Sequence, residues 1–154
     1  MIVSKISPSM DELAPYITDA ISSGKKVKLT VTGNSMYPLF KDRRDTVILA
    51  PFESVNKKDV VFYRRQNGRY VLHRVLKKKG DSLVLAGDNE TQKEYGISVS
   101  DCIAVMKSFE RYGKKSDVSD LWYRLYSSFW TFVFPVRPCC RWILRLGACV
   151  FRKR

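Results

Sequence analysis

"DVVFYRRQNGRYVLHRV", residues 59–75, is the stretch from which the fold is read. Two runs rich in valine, tyrosine and phenylalanine flank Asn67-Gly68, a dipeptide able to supply the positive φ angles of a tight turn. The pattern predicts a β-hairpin. Outward from it, "KVKLTVT" (26–32), "DTVILA" (45–50), "SLVLAG" (82–87) and "ISVSDCIAVM" (97–106) are strand-like runs separated by turn residues. "KKKGDS" (77–82) reads as a second turn. Six strands at this spacing point to a mainly β fold, a coiled antiparallel sheet with a barrel-like form. Upstream, "SPSMDELAPYITDAISSGKK" (7–26) reads as a short N-terminal amphipathic helix. Ser9 and Glu12 have capping-box spacing, and Leu13, Tyr16, Ile17, Ala20 and Ile21 fall on one face. Pro15 argues for a later start and Gly24 marks the stop.

The chain has 154 residues, 45% of them hydrophobic, enough for one substantial core. It is basic, with 28 Lys+Arg against 15 Asp+Glu for a net charge of +13. Residues 111–154 hold ten of the basic and two of the acidic groups, so the tail has a surplus suited to anionic partners. The cysteines (102, 139, 140 and 149) form no C-x-x-C pair and the one histidine lies far from the last three, which excludes a zinc-finger pattern and leaves reduced thiols as the expectation. The first twenty residues have neither the apolar core of a signal peptide nor the length of apolar chain that spans a bilayer.

"VTGNSMYPLF" (31–40) sets Ser35 between Gly33 and Pro38 at the end of a strand. Alone, such a serine is a polar cap. His73, the sole histidine, lies in the second arm of the hairpin on the face of Val71 and Val75, with Leu72 and Arg74 on the other. Alone, it is most simply a structural residue. "LVLAGDNE" (83–90) ends a strand in a turn carrying Asp88, which alone is an Asx turn. Together the three supply a hydroxyl nucleophile, a base able to take its proton near neutral pH and a carboxylate to orient that base.

In that order, "GNSMYP", "KDVVFYR…VLHRVL" and "LAGDNE" resemble the motif series of the type I signal peptidase family, and "RRDTVILAP" resembles the block after its serine motif. The likeness covers roughly residues 27–107. Its His-Arg-Val form is similar to the endoplasmic-reticulum and archaeal type, whereas G-x-S-M alone also occurs in self-cleaving repressors of the LexA type. The resemblance implies a serine endopeptidase that removes a signal or leader segment from a polypeptide, with Ser35 as nucleophile and His73 as general base. Asp88 is its acid by the motif match, with Glu94 as the alternative. Many members carry a serine two positions before the nucleophile, where this chain has Gly33. The oxyanion hole would then rest on the Ser35 backbone N–H, with Asn34 and Thr32 as candidate second donors. No metal or cofactor is implied, and the family's usual N-terminal membrane anchor is not expected from the first twenty residues. Two other readings stand beside it: a catalytically silent peptide-binding or membrane-adaptor module, and a Ser–Lys self-cleaving regulator using one of Lys77 to Lys79.

The organisation expected is a peptidase domain over 1–112, then a polar linker (111–120) opening a basic tail that makes up 113–154. Twelve uncharged residues between Arg124 and Arg137 are too few to cross a bilayer, which needs about 20. Beyond Pro138, helical spacing gathers Trp142, Ile143, Leu146 and Val150 on one side and Arg141 and Arg145 on the other, the pattern of a helix lying on an anionic membrane surface. Peripheral membrane attachment is the expectation, with the side of the membrane open. The alternative is a helix packed on the body. Nucleic acid is the weaker partner class, since no helix-turn-helix, zinc-finger or RNP motif is present.

Overall fold

The structure, a computed structural model, describes residues 10–137. One sheet of eight antiparallel strands organises them: β1 (Val27–Thr30), β2 (Thr46–Ala50), β3 (Val60–Arg64), β4 (Tyr70–Lys79), β5 (Ser82–Ala86), β6 (Glu94–Ser98), β7 (Cys102–Arg111) and β8 (Lys114–Asp117). The order is β1-β2-β7-β3-β4-β5-β6, with β8 paired to β7 alone. The sheet is mainly β as expected, but it is open: β1 and β6 end the path, so no closed barrel forms. Helices α1 (Met10–Ser22) and α2 (Leu121–Phe132) complete the fold, followed by a 3-10 turn at Phe134–Val136.

The 59–75 hairpin forms with Val61 opposite His73 and Tyr63 opposite Val71. Its turn differs from the two-residue form. Arg65 and Arg69 bond across three residues, and only Gly68 has a positive φ (84°), following the turn closed by Gly68 N–H donating to the Arg65 carbonyl. A type I turn followed by a left-handed residue suits the twist of the flanking strands as well as the tighter alternative does. The 97–106 run divides into the end of β6, a 3-10 turn (Val99–Asp101) and β7. In place of a polar linker, 114–117 pairs back on β7 as β8.

Alternation on the strands sends side chains into two apolar layers. One side gathers Met36, Leu39 and Phe40 with Leu49, Val60, Phe62 and Phe109, covered by Ile17 and Ile21 of α1 and Tyr123 of α2. The other side packs Val55, Val61, Tyr63, Val75, Leu83, Leu85 and Ile97. Helix α1 starts before Pro15 and runs through it. Proline at the sixth helical position forfeits one bond to the first turn, and burial of Ala14, Ile17 and Ile21 holds the helix regardless. Tyr16, expected on the inner face, is 76% exposed, and Ala14 takes the inner position.

Candidate active site

Ser35 lies in the turn after β1 and is half-buried. Its backbone is fixed by the turn that follows β5: the Asn89 N–H donates to the Ser35 carbonyl at 2.7 Å. Gly87 comes so near that a Cβ there would sit 2.5 Å from the Ser35 oxygen and 3.1 Å from its Cβ. The Gly-Asp-Asn turn therefore needs glycine for close approach, because any side chain would push the Ser35 backbone away. β4 and β5 pair Arg74 with Ala86 and Val75 with Leu85, and His73 and Gly87 are the residues next beyond that pairing.

His73 is 1% exposed. Its Nδ1 lies 2.9 Å from Glu94 Oε1, at the start of β6. The Tyr63 hydroxyl donates to Glu94 Oε2 at 2.7 Å and lies 3.3 Å from the same Nδ1. Arg65 donates Nε to Glu94 Oε2 at 2.8 Å and Nη2 to Oε1. Burial pushes the Glu94 carboxyl up, but hydrogen bonds from His73, Arg65 and Tyr63 outweigh it and hold the group well below the usual carboxylate range. A carboxylate fixed at Nδ1 keeps that nitrogen as the N–H, which leaves Nε2 as the acceptor. Glu90 Oε1 stands 3.6 Å from Nε2, while Glu90 Oε2 accepts the Gly87 N–H at 3.3 Å. One carboxylate thus spans from the imidazole to the glycine against Ser35.

Asp88, the acid expected from the motif match, is placed elsewhere. It pairs with Arg74, whose Nε and Nη2 donate to its two oxygens at 2.7 Å each, and it accepts the Tyr126 hydroxyl at 3.0 Å. Its carbonyl takes Trp130 Nε1 at 2.8 Å and Arg137 Nη1 at 2.9 Å. The reason is strand alternation: Arg74 follows His73 and so points to the opposite face, and Asp88 goes with Arg74. Of the two candidate acids, the structure brings Glu94 to the imidazole.

Among the other expected residues, Thr32 and Asn34 are exposed beside Ser35, and the Gly33 N–H is committed to Asp42 Oδ1 at 2.7 Å. Lys77 to Lys79 occupy the far end of β4, roughly 13–20 Å of strand beyond His73, and Lys78 Nζ donates to the Val55 carbonyl at 2.7 Å. Geometry thus sets none of Lys77 to Lys79 beside Gly87. Burial pushes the Cys102 thiol up to about 12, against the thiolate form. Ligand atoms of His73, Glu90 and Glu94 lie within 4.8 Å of one another, near enough to share a cation, but Arg65 already occupies both Glu94 oxygens. Trp142, Ile143, Leu146, Val150, Arg141 and Arg145 lie outside the described residues, as do Cys139, Cys140 and Cys149.

Sequence reasoning missed Tyr63, Arg65 and Glu90. Tyr63 shares the face of Val61, which pairs with His73, so hairpin register alone could have raised it. Arg65, two residues further along the same arm, follows by the same alternation, whereas Glu90 carries no such signal because a loop path places it.

A thirteen-residue recess of about 110 Å³ opens beside Ser35. Leu29, Val31 and Thr32, from β1 and its continuation, and Tyr70 and Leu72 of β4 are among its walls. β1 ends the sheet path, so its outer edge has no strand neighbour among the described residues.

In comparison with known families, the family model described as Peptidase S24-like aligns with residues 6–109. The match spans well over half of the chain, and the chain belongs to this serine-peptidase family. No curated protein sequence matches it closely enough to count as a relative.

Proposed function

We propose that this member of the peptidase S24-like family is a serine endopeptidase of the signal-peptidase type, which removes a signal or leader segment from a polypeptide bound as an extended strand. The observation that carries the reading is the 2.9 Å approach of Glu94 to His73 Nδ1 beside the glycine on which Ser35 rests. Glu94 orients the imidazole so that Nε2 takes the Ser35 hydroxyl proton as the oxygen attacks the scissile carbonyl. Charge developing on the carbonyl oxygen falls to the Ser35 backbone N–H, with Thr32 or Asn34 as second donor. Collapse to the acyl-enzyme expels the new amine, which receives the proton from His73. Water activated by the same nitrogen then releases the acyl segment. Glu90 must leave Nε2 for the serine to reach it, and its 34% exposed side chain has room to do so.

An alkyl fluorophosphonate probe tests the chemistry without knowledge of the substrate. Covalent labelling is expected in the full chain and is expected to vanish in Ser35→Ala, with circular dichroism unchanged. A chain that takes no label is a silent module on a peptidase fold, and a Ser35→Ala variant that still takes it places the reactive nucleophile elsewhere and overturns the reading.

A further inference from the structure

Helix α2 lies beyond the residues matched by the family, and both of its faces are apolar or aromatic. The inner face is fully used: Tyr123 and Ser127 are buried, and Ser127, Tyr126 and Trp130 bond to Arg74, Asp88 or their neighbours. On the outer face Leu121 is 71% exposed, Leu125 62%, Phe129 60% and Phe132 83%. At 100° per residue these four fall within about 80° of one another, a continuous stripe along the helix. Val136, 53% exposed, continues it into the following turn. An exposed apolar strip of this length on a single helix is a docking surface rather than scattered surface hydrophobicity.

Its borders are cationic. The groove along one flank of α2, walled by Leu121 and Leu125, is also lined by Lys57, Lys58 and Arg124. Lys58 Nζ reaches the helix itself, donating to Ser128 Oγ at 2.9 Å. The groove at its C-terminal end, walled by Thr131, Phe134 and Pro135, is lined by Lys57, Lys77 and Lys93, with Lys93 Nζ 5.7 Å from the centre of the Phe134 ring. Asp59 also lines the first groove, but its carboxylate is turned to the Asn56 N–H at 2.8 Å.

We infer that the outer face of α2 is the protein's lipid-contact surface, with Leu125, Phe129 and Phe132 entering the headgroup boundary of an anionic bilayer while the flanking lysines and Arg124 meet its phosphates. Charge selects this occupant over the two others. Residues 138–154 contain five basic and no acidic side chains, so their return onto a lysine-bordered stripe would set like charges together. A second copy of a chain of net charge +13 meets the same repulsion. An anionic lipid surface satisfies stripe and border at once. The inference is independent of the catalytic reading. Because the inner face of the same helix grips the Asp88 turn, and that turn fixes Ser35, docking through α2 would hold the site at one height above the membrane.

Co-sedimentation of the full chain with vesicles of phosphatidylcholine containing 30% phosphatidylserine tests it, with pure phosphatidylcholine vesicles as the second arm. Binding to the anionic vesicles is expected, with at least a tenfold lower partition coefficient for neutral ones. The Leu125→Glu/Phe129→Glu/Phe132→Glu variant should lose at least tenfold in partition while its circular dichroism matches the parent. Ser35→Ala should bind as the parent does, which separates this result from any failure of the peptidase reading. If the acidic variant fails to fold, Phe129→Ser/Phe132→Ser carries the same expectation with a smaller loss. Full partition by a folded stripe variant assigns the lipid contact to residues after 137 and overturns the inference. So does a parent that binds neither vesicle, or a parent dimer in sedimentation velocity that the stripe variant converts to monomer.

Discussion

His73 and Arg74 are neighbours on β4, and each holds a carboxylate, yet the two assemblies are built to different ends. Arg74 and Asp88 are both shut away from solvent, and the surrounding hydroxyls of Tyr126 and Ser127 complete their bonding. His73 is just as buried, but its partner Glu94 keeps a fifth of its side chain exposed, and Glu90 on the other ring nitrogen is looser still. A closed ion pair on one face clamps α2 to the sheet. On the other face, the more open His73–Glu94 contact leaves Nε2 facing the partly exposed Glu90 at 3.6 Å. Burial of a charge pair by itself does not mark function: the pair with the better geometry is the structural one.

Removing Arg74 attacks the closed assembly and should give the largest effect. Arg74→Ala strands the Asp88 carboxylate in the interior, at a cost of about 3–5 kcal/mol, measured as the shift in a urea unfolding curve. A change under about 1 kcal/mol would mean that water reaches Asp88 and the clamp is not closed.

Glu94→Gln tests the open assembly. An amide cannot hold Nδ1 as a charged carboxylate does, so fluorophosphonate labelling should slow about 100-fold, equivalent to about 2.7 kcal/mol of barrier. Its unfolding free energy should fall by less than that of Arg74→Ala. Labelling at the parent rate in Glu94→Gln would make the two assemblies alike, both purely structural.

The smallest expected effect concerns acid. Glu94 has a folded-state pKa depressed below its ordinary 4.5, so its contribution to stability is complete above that value and is lost as the pH falls through the depressed range. Acid titration of stability should therefore be shallower below pH 4.5 in Glu94→Gln than in the parent. Parallel curves would show that the hydrogen bonds from His73, Arg65 and Tyr63 do not persist in solution.

Much of this was legible in the residues. The hairpin, the turn at Gly80 and the strand-end serine follow from strand propensity and glycine placement, which are local properties. The two-sided character of β4 was also legible, since alternation separates His73 from Arg74 whatever surrounds them. The choice between Asp88 and Glu94 was not. The two carboxylates lie six residues apart across a turn, either could be drawn beside the ring, and the motif favoured the first. Only the path of 87–94 settles it, because tucking Gly87 against Ser35 turns Asp88 toward the guanidinium and returns Glu94 along β6. The polarity of 114–117 hid β8 for a similar reason: an edge strand with exposed side chains has no alternating apolar pattern to read.

Sequence alone determined that the chain is mainly β, that it is basic, and that it owns one hydroxyl and one imidazole in motif positions. These depend on side-chain type and short-range spacing. The carboxylate placed at the imidazole, the strand added by 114–117, and which half of an aromatic helix faces inward were decided by tertiary structure alone. Each depends on which distant segments meet across the sheet, and in α2 aromatic residues occupy both faces, so only the bonds to Arg74 and Asp88 decide which side is buried.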